Sequence, residues 1–401
     1  MTVHHRSWSF AALIAVLSML GPFSVDMYLP AFPAIGRDLD ASSIALQQTL
    51  SAYMFAFAFM MLWLGALSDA LGRRPVVLGS LVVYALASLG CAIAGNIESL
   101  WLFRALQGMS AGAGVVIGRA IIRDCYHGAD AQRLMSAVSM IFSIAPAVAP
   151  IVGGWVLLVA SWHGIFWLLA AFSLLLALVC VRALPETHPP AARVPHTLSS
   201  LLSTYRTIVR DRQFGPLAFA STFNFGALFL YIASAPVFVL DILGLNAQQF
   251  AWLFVPAISG MLLGAVLSNR MAGRFTAAQT VNLGYAIMLV ATAINIALTI
   301  ALPQARVPWS VLPIGLHAIG IALSFPTVTL LILDRFPLHR GAASSMQAFV
   351  SLVFSAIIAG VISPLVSHHA LWLACGAGTM TVVGFIAWRV YRRGVKAPAL
   401  N

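Results

Sequence analysis

Charged residues are scarce in this chain. Of its 401 residues, 8% are charged and 61% are hydrophobic, whereas a soluble domain usually carries about 25% charged residues. A soluble fold could not bury so much apolar surface. Lysine is the rarest charge, since Lys396 is its single copy. The chain therefore lacks the GxxxxGK[ST] loop whose lysine reaches the phosphates of ATP, which excludes an ATP-driven pump of that kind.

Cysteine and histidine are too few and too dispersed for a metal centre. The cysteines lie within or beside apolar runs and are expected to be packing residues, because no CxxC spacing occurs. They are Cys91, Cys125, Cys180 and Cys375. The HExxH metal motif is absent, and the pairs His4/His5 and His368/His369 have no further ligands near them. No metal, cofactor or catalytic residue is expected, and a membrane-embedded enzyme is the weaker, competing class.

Long apolar segments recur along the whole chain. About 20 residues of helix cross a hydrocarbon layer of about 30 Å. The run after Arg6 is too long for a signal peptide and is expected to be an uncleaved first helix. The sequence predicts an all-α integral membrane protein with twelve transmembrane helices. They are placed near 9–31, 47–69, 75–95, 100–122, 134–158, 163–184, 214–240, 250–269, 278–302, 308–332, 343–366 and 369–390.

The net charge of +11 would suit a nucleic-acid partner only if the basic residues shared one face. Instead they alternate between loops, and the opposite loops keep only Arg37 and Arg306. This positive-inside pattern places both termini and the long central loop in the cytoplasm, so no nucleic-acid partner is expected. The cytoplasmic set is Arg73, Arg74, Arg123, Arg133, the arginines from Arg182 to Arg212, Arg270, Arg274, Arg335, Arg340 and the tail from Arg389 to Lys396.

An internal repeat divides the chain into halves. The second span of the first half ends in GALSDALGRRP (65–75), and the second span of the second half ends in GAVLSNRMAGRF (264–275). An echo about 200 residues apart indicates duplicated halves related by an axis along the membrane normal. The predicted domains are a six-helix half over 1–184, a cytoplasmic linker over 185–213, and a six-helix half with a short tail over 214–401.

Several short motifs resemble one known family. In the fourth span, Arg104, Gln107 and Gly108 match the RxxQG motif of the major facilitator superfamily, and APAVAPIVGG (145–154) resembles the proline-glycine motif of its antiporters. The superfamily's loop motif after the second span is matched by Gly65, Asp69, Gly72, Arg73, Arg74 and Pro75. Together with VDMYLP (25–30), IIRDCY (121–126) and GGWVLLVASWHGIFW (153–167), these segments resemble the Bcr/CflA branch of drug:proton antiporters.

The resemblance implies both a fold and a function. It implies the major facilitator fold and a proton-coupled antiporter, a monomer in the bacterial inner membrane, that exports small organic molecules by alternating access. Bicyclomycin, chloramphenicol-type antibiotics and sulfonamides are the first substrates to try. A proton-coupled importer of a small metabolite stays open, because import and export use the same cycle.

Two charged residues inside apolar spans are the predicted proton-coupling site. Asp26 is the only acid well inside a span, where a carboxylate is expensive unless it faces a cavity or a partner. Burial penalises its charged form, so it could bind and release a proton at ordinary pH; a permanently paired structural aspartate is the alternative. Arg104 keeps its charge, so it is expected to line the cavity and tune Asp26, or else to be a structural brace.

The remaining candidate sites have weaker support. At the cytoplasmic helix end, Gly65, Asp69, Gly72, Arg73 and Arg74 are predicted to form a conformational gate, with a topological anchor as the alternative; Asn269 replaces Asp69 in the second half, which argues against an equivalent gate there. A bent, closely packed fifth helix that seals an antiporter, or ordinary packing, would use Pro146, Pro150, Gly153 and Gly154. Aromatic and hydrogen-bonding groups predict a substrate cavity for flat organic molecules, with interhelical packing as the alternative. They are Tyr28, Tyr53, Phe57, Gln107, Asn224, Phe225 and Tyr231.

Overall fold

Helices make up nearly all of the described part of the chain. A computed structural model describes residues 3–126, 128–193, 198–271, 273–302 and 304–396, and no β-strand occurs within these ranges. Eleven segments are long and apolar enough to cross a membrane, and a further helix over 128–159 contains the apolar stretch Ile144–Val159. Helices suit lipid because they satisfy their own backbone hydrogen bonds. The predicted all-α membrane fold is confirmed. The side chains of His4, His5, Arg133 and Lys396 lie outside the described residues.

The chain divides into two compact units, Met1–Leu198 and Ser199–Asn401. In the first unit α3 packs on α5, α4 on α5 and α8, and α1 on α6 and α7. A 3₁₀ turn, Leu29–Ala31, joins α1 to α2. The helices are α1 (Val3–Asp26), α2 (Phe32–Asp38), α3 (Ser43–Leu71), α4 (Arg73–Ala92), α5 (Ile97–Ala111), α6 (Ala113–Cys125), α7 (Gly128–Val159) and α8 (His163–Ala183).

The second unit repeats much of this packing. In it α10 packs on α13 and α16, while α11 and α12 both pack on α13. The predicted linker contains a helix, α9, which buries Tyr205 and Ile208. The helices are α9 (Leu198–Arg210), α10 (Phe214–Ala233), α11 (Ala251–Met271), α12 (Ala277–Ala301), α13 (Leu312–Arg335), α14 (Arg340–Ile357), α15 (Ser363–Val366) and α16 (Ala370–Lys396).

Local sequence signals set several helix ends. The Ser42 hydroxyl accepts a hydrogen bond from the Ala45 N–H at 3.2 Å. The side-chain oxygen of Asn96 accepts one from the Ser99 N–H at 2.8 Å. Such N-caps satisfy backbone donors that the helix itself leaves free. Gly72 separates α3 from α4 with a φ of 101°, a conformation that only glycine adopts at little cost.

Three predicted spans are interrupted in the structure. The first keeps its helix through Pro22 and breaks only after Asp26. The fourth is divided into α5 and α6 at Gly112, which packs so closely on α3 that an added Cβ would lie 2.7 Å from the Phe57 ring. The seventh ends at Ala233, and a π-helical turn, Val237–Ile242, follows it. Breaks of this kind free backbone groups and side chains inside a bundle, where functional sites lie.

Candidate functional site

Asp26 lies at a break in the first span. It is the last residue of α1, only 4% of its surface is exposed, and the chain then turns through Met27 and Tyr28 into the 3₁₀ turn. Among the described residues no arginine, lysine or histidine nitrogen lies within ion-pair distance of its carboxylate. A carboxylate buried without a cation is costly, whereas the protonated group is tolerated. The position therefore suits a group that exchanges a proton.

Arg104 is fully buried in α5. Its Nη1 donates to the Ser24 carbonyl oxygen at 3.0 Å and to the Gln107 side-chain oxygen at 2.8 Å. The guanidinium carbon lies 4.7 Å from the centre of the Tyr28 ring and 4.4 Å from that of Tyr53. Two aromatic faces can stabilise a desolvated cation by about 2 kcal/mol or more each. The arginine is thus held by rings and uncharged oxygens.

The hydrogen-bonding capacity of Arg104 is only partly used. Its Nε and Nη2 are buried and have no partner among the described groups. The structure brings Arg104 and Asp26 to the same end of α1, since Arg104 binds the carbonyl of Ser24, but it does not bring their charges into contact. Two unsatisfied donors on a buried cation are expensive. Both nitrogens can still donate to an anionic or carbonyl oxygen.

Polar neighbours that the sequence analysis missed complete this cluster. Gln107 donates to the Ser88 hydroxyl at 2.7 Å, and Ser24 hydrogen-bonds with the hydroxyl of Tyr84. The Tyr28 and Thr49 hydroxyls lie 2.5 Å apart. Serine and threonine are common in membrane helices, so no sequence signal distinguished these residues from ordinary helix contacts. Their role is to hold Gln107 and the tyrosines in place around Arg104.

Of the predicted cavity residues in the first unit, Tyr28, Tyr53 and Gln107 converge on Arg104, and all three are buried. Phe57 is half-buried and its ring contacts that of Tyr53, with centres 6.0 Å apart. Gly108 lets α5 lie close to α3, because a Cβ at this position would lie 2.2 Å from the carbonyl oxygen of Tyr53. These side chains therefore form the walls of the Arg104 site.

The predicted cavity residues of the second unit do not form one cluster. The Asn224 amide is fully buried and interacts with the side chain of Tyr285. Phe225 is half-buried and its ring lies 6.3 Å from that of Phe325. Tyr231 lies nearly two turns further along α10, where its hydroxyl accepts a hydrogen bond from Asn295 at 2.6 Å. Two separate polar positions result.

The proline-glycine motif of α7 packs directly against the break that follows Asp26. The helix continues through Pro146 and Pro150. A Cβ on Gly153 would lie 2.1 Å from the carbonyl oxygen of Met27, a contact that no side chain could make. Gly154 is buried beside it. Gly153 thus lets α7 support the backbone that presents Asp26.

The predicted gate residues meet at the end of α3. Arg73 is largely buried and pairs with Asp69, while its Nε donates to Asp124 at 3.1 Å. Its Nη1 also donates to the Ser68 hydroxyl at 2.6 Å. The two carboxylates that share Arg73 lie on different helices, α3 and α6. Movement of either helix would break this network. Gly65 makes no close approach, since its Cβ would be 3.9 Å from Val116.

A carboxylate from the predicted linker extends the gate. Glu186 accepts hydrogen bonds from the backbone N–H groups of Arg73 at 3.0 Å and Arg74 at 3.3 Å, so it caps the start of α4. An acid at a helix N-terminus stabilises it by about 0.5–2 kcal/mol. A Cβ on Gly72 would lie 2.5 Å from the Glu186 carboxylate. The Glu186 side chain could shift to avoid this contact, so the need for glycine comes from its φ of 101°.

The matching loop of the second unit is built differently. Gly273 has a positive φ of 77°, as Gly72 does, but nothing lies within 4 Å of its Cβ position. Asn269 and Arg270 are exposed. Within the described part of this unit, the ion pairs are Arg335 with Asp211 and Arg340 with Asp334. The backbone turn is repeated here without the charge network.

One segment that the sequence analysis passed over spells a serine-nucleophile pattern. GMSAG (108–112) matches GxSxG, which needs a sharp turn between strand and helix with a histidine base. Here Ser110 lies inside α5 and donates to the backbone carbonyls of Leu106 and Gln107 at 3.1 and 3.0 Å. The serine is an ordinary helix residue, and its two glycines serve close packing.

Comparison with known proteins agrees with this architecture. "Uncharacterized MFS-type transporter YdgK" of Bacillus subtilis is 33% identical over 362 residues, covering 89% of this chain and 88% of that protein. The "Bicyclomycin resistance protein homolog" of Haemophilus influenzae is 28% identical over 397 residues, covering 97% of each. A crystal structure of a D-xylose-proton symporter superposes with a TM-score of 0.75 at 14% identity, covering 95% of this chain and 97% of that one, which shows a shared fold. The Major Facilitator Superfamily description matches residues 14–360, and this multi-pass membrane chain belongs to that superfamily.

Proposed function

We propose that the protein is a proton-coupled antiporter that exports small organic molecules, with Asp26 as its proton carrier. The observation that carries this proposal is the buried carboxyl of Asp26, which has no cation within ion-pair distance among the described side chains. In that setting protonation removes the cost of a buried charge, and deprotonation requires water or a cationic group nearby. A cycle between outward- and inward-open states provides such a change of surroundings.

Arg104 supports this cycle without pairing permanently with Asp26. Its two unpartnered nitrogens can bind a carbonyl or anionic oxygen of the substrate, or the Asp26 carboxylate after the α1 break shifts. The rings of Tyr28 and Tyr53 both contact the guanidinium and limit its movement, with centres 4.7 and 4.4 Å from the guanidinium carbon. In the proposed mechanism the arginine competes with the proton for Asp26. Gln107 fixes the arginine, while Asn224, Phe225 and Tyr231 supply substrate contacts from the second unit.

The substrate proposal is a drug-like molecule with aromatic and hydrogen-bonding groups. Support comes from the buried aromatic walls around Arg104 and from the relative named for bicyclomycin resistance. We place the protein in the bacterial inner membrane as a monomer with both termini cytoplasmic, because the arginines follow the positive-inside rule. The domain proposal keeps its boundaries: residues 1–184 and 214–401 form the halves and 185–213 the linker.

The gate and the fifth-span motif have conformational roles in this proposal. Arg73, shared by Asp69 and Asp124, stabilises one state of the cytoplasmic end, and release of that network permits the other. Gly153 keeps α7 against Met27, so the backbone beside Asp26 stays closed to leaking protons. Both roles concern switching and sealing, and neither requires contact with substrate.

Direction of transport is tested by accumulation of a fluorescent drug in cells that lack their own pumps. Collapse of the proton gradient with an uncoupler should raise internal drug if the protein exports, because the driving force for efflux is lost. A fall in internal drug would identify an importer and overturn the proposal. A resistance panel with bicyclomycin, chloramphenicol and sulfonamides in the same host then identifies the substrate range, and an empty-vector strain is the control.

A further inference from the structure

A second polar pocket lies within the second unit. Its centre is His317, a buried residue of α13 whose Nε2 lies 2.9 Å from the Thr381 hydroxyl on α16. Thr381 donates its one hydroxyl proton to the Ala377 carbonyl at 3.1 Å. With the hydroxyl proton assigned to this carbonyl, the threonine oxygen accepts from the imidazole Nε2–H. The imidazole is then neutral and keeps a lone pair on Nδ1.

The imidazole borders a small cavity. The cavity measures about 20 Å³ and is lined by Tyr231, Thr292, Asn295 and His317 among apolar side chains. A cavity of about 10–15 Å³ holds one water when two to four polar groups can bind it. The tyrosine hydroxyl, the asparagine amide and the imidazole supply those groups. One water therefore fits between His317 and the Tyr231–Asn295 pair.

A larger space lies on the other side of that pair. This vestibule, as we call the second cavity, has a volume of about 660 Å³ and is lined by Asp241, His368 and His369 together with Tyr231 and Asn295. The last two residues thus line both cavities and hydrogen-bond to each other at 2.6 Å. We call this pair the partition, because both of its side chains line the two cavities. The lining includes the loops 302–311 and 367–369, which the positive-inside rule assigns to the outer surface.

We propose that His317 is a second proton-binding site, loaded from the vestibule through the Tyr231–Asn295 partition and one bridging water. A hydronium ion in the vestibule gives a proton to the Tyr231 hydroxyl oxygen and becomes water, while the hydroxyl's own proton passes to the bridging water. The bridging water then passes one proton to Nδ1, which becomes N–H, so that both the tyrosine and the water are regenerated. The Nε2–H bond to Thr381 stays in place. Asp241 at the vestibule attracts the incoming cation.

The charges around the pocket favour transient over permanent protonation. Apart from His317, the cavity lining has no acidic or basic side chain; Tyr231 on α10 is its one other titratable group, and Cys375 lies near it on α16. On the other packed helices, Arg270 of α11 and Arg340 of α14 are at the opposite ends, and α12 presents Asn295. Beyond the partition, Asp241, His368 and His369 face the vestibule. An imidazolium here has no fixed counter-ion, so it can return its proton.

The test is ¹⁵N NMR of histidine-labelled protein in nanodiscs as the pH is lowered from about 8. One signal, assigned because His317→Gln removes it, should show a neutral Nε2–H tautomer at high pH and an imidazolium at low pH. His163→Gln is the matched control, since His163 is a half-buried histidine of the first unit that lies 3.9 Å from Asp38. A His317 signal that stays neutral until the protein unfolds would overturn the proposal.

Access through the partition is tested separately. Tyr231→Phe keeps the ring but removes the hydroxyl, so proton exchange at His317 should slow by about tenfold or more. An unchanged exchange rate would exclude the proposed route. Both measurements are repeated in Asp26→Asn protein, because the inference rests on the geometry of the second unit alone. If Asp26 proves not to be a proton carrier, the His317 result still stands. If His317 is not protonated, the proposal for Asp26 is unaffected.

Discussion

Replacing Gly153 with alanine tests whether α7 positions the break beside Asp26. The new methyl group would lie 2.1 Å from the Met27 carbonyl oxygen, where ordinary contact begins at 3.4 Å. The atoms in the way belong to the backbone of Met27, which cannot rotate aside as a side chain can. The helix α7 must therefore move away from the backbone that follows Asp26. Overpacking of this kind costs about 1–3 kcal/mol, which exceeds the gain of about 0.5–1 kcal/mol for alanine over glycine in a helix.

Gly79→Ala provides the matched control. Gly79 lies inside α4, is exposed, and has nothing within 4 Å of its Cβ position. Only the helix gain of about 0.5–1 kcal/mol should remain there. The two variants are the same chemical change in a helix interior, yet we expect opposite signs: Gly79→Ala should raise the melting temperature in detergent and Gly153→Ala should lower it by a few degrees.

The assay uses the protein's own thiols. Cys91 and Cys180 are buried, whereas Cys125 and Cys375 are exposed and set the background, so a thiol-reactive dye reports unfolding as the buried pair becomes accessible. Proton-driven drug efflux is measured on the same preparations in liposomes. Gly153→Ala should lose efflux through proton leakage, and Gly79→Ala should keep it. Equal stability and equal efflux for both variants would refute the packing argument.

Three further predictions concern charged residues. Arg104→Lys keeps the charge but loses the guanidinium that contacts the two tyrosine rings, so efflux should fall at least about tenfold. Wild-type efflux by this variant would show that only the positive charge of Arg104 matters. Asp69→Asn should slow efflux while drug affinity in detergent changes less than about twofold, and an equal loss of affinity would count against a gate. At Asp211 partial burial opposes ionisation, but hydrogen bonds from Arg335 and the backbone outweigh it and lower the pKa below 3.8. Wild type should therefore melt above Asp211→Asn at pH values over 3.8, and the difference should vanish as pH falls through the lower folded pKa; a constant difference would contradict this.

Composition and periodicity were sufficient to predict the membrane fold, because a chain so poor in charge leaves few alternatives to spanning helices. The motifs led to Asp26, Arg104, Arg73 and Gly153, whose residue types are costly or conformationally special inside lipid. Each of these residues occupies a buried or closely packed position in the structure.

Tertiary packing determined what the sequence could not show. Ser24 and Ser88 are ordinary helix residues in the sequence until the fold brings the Ser24 hydroxyl to Tyr84 and the Ser88 hydroxyl to Gln107. The helix also continues through Pro22, because neighbouring helices in a bundle can compensate a lost hydrogen bond. His317 gave no motif at all, and only the cavity beside it suggests a role.

The most direct test of the central claim compares wild type with Asp26→Asn in two parallel measurements. Drug-induced proton release is followed in weakly buffered detergent solution, and drug efflux driven by a proton gradient is followed in liposomes. Because a neutral amide cannot alternate between charged and uncharged forms, Asp26→Asn should release no proton on binding drug and should not concentrate drug against a gradient, even where it still binds drug. Wild-type proton release and wild-type efflux by the mutant would show that Asp26 is structural and that the proton is carried elsewhere.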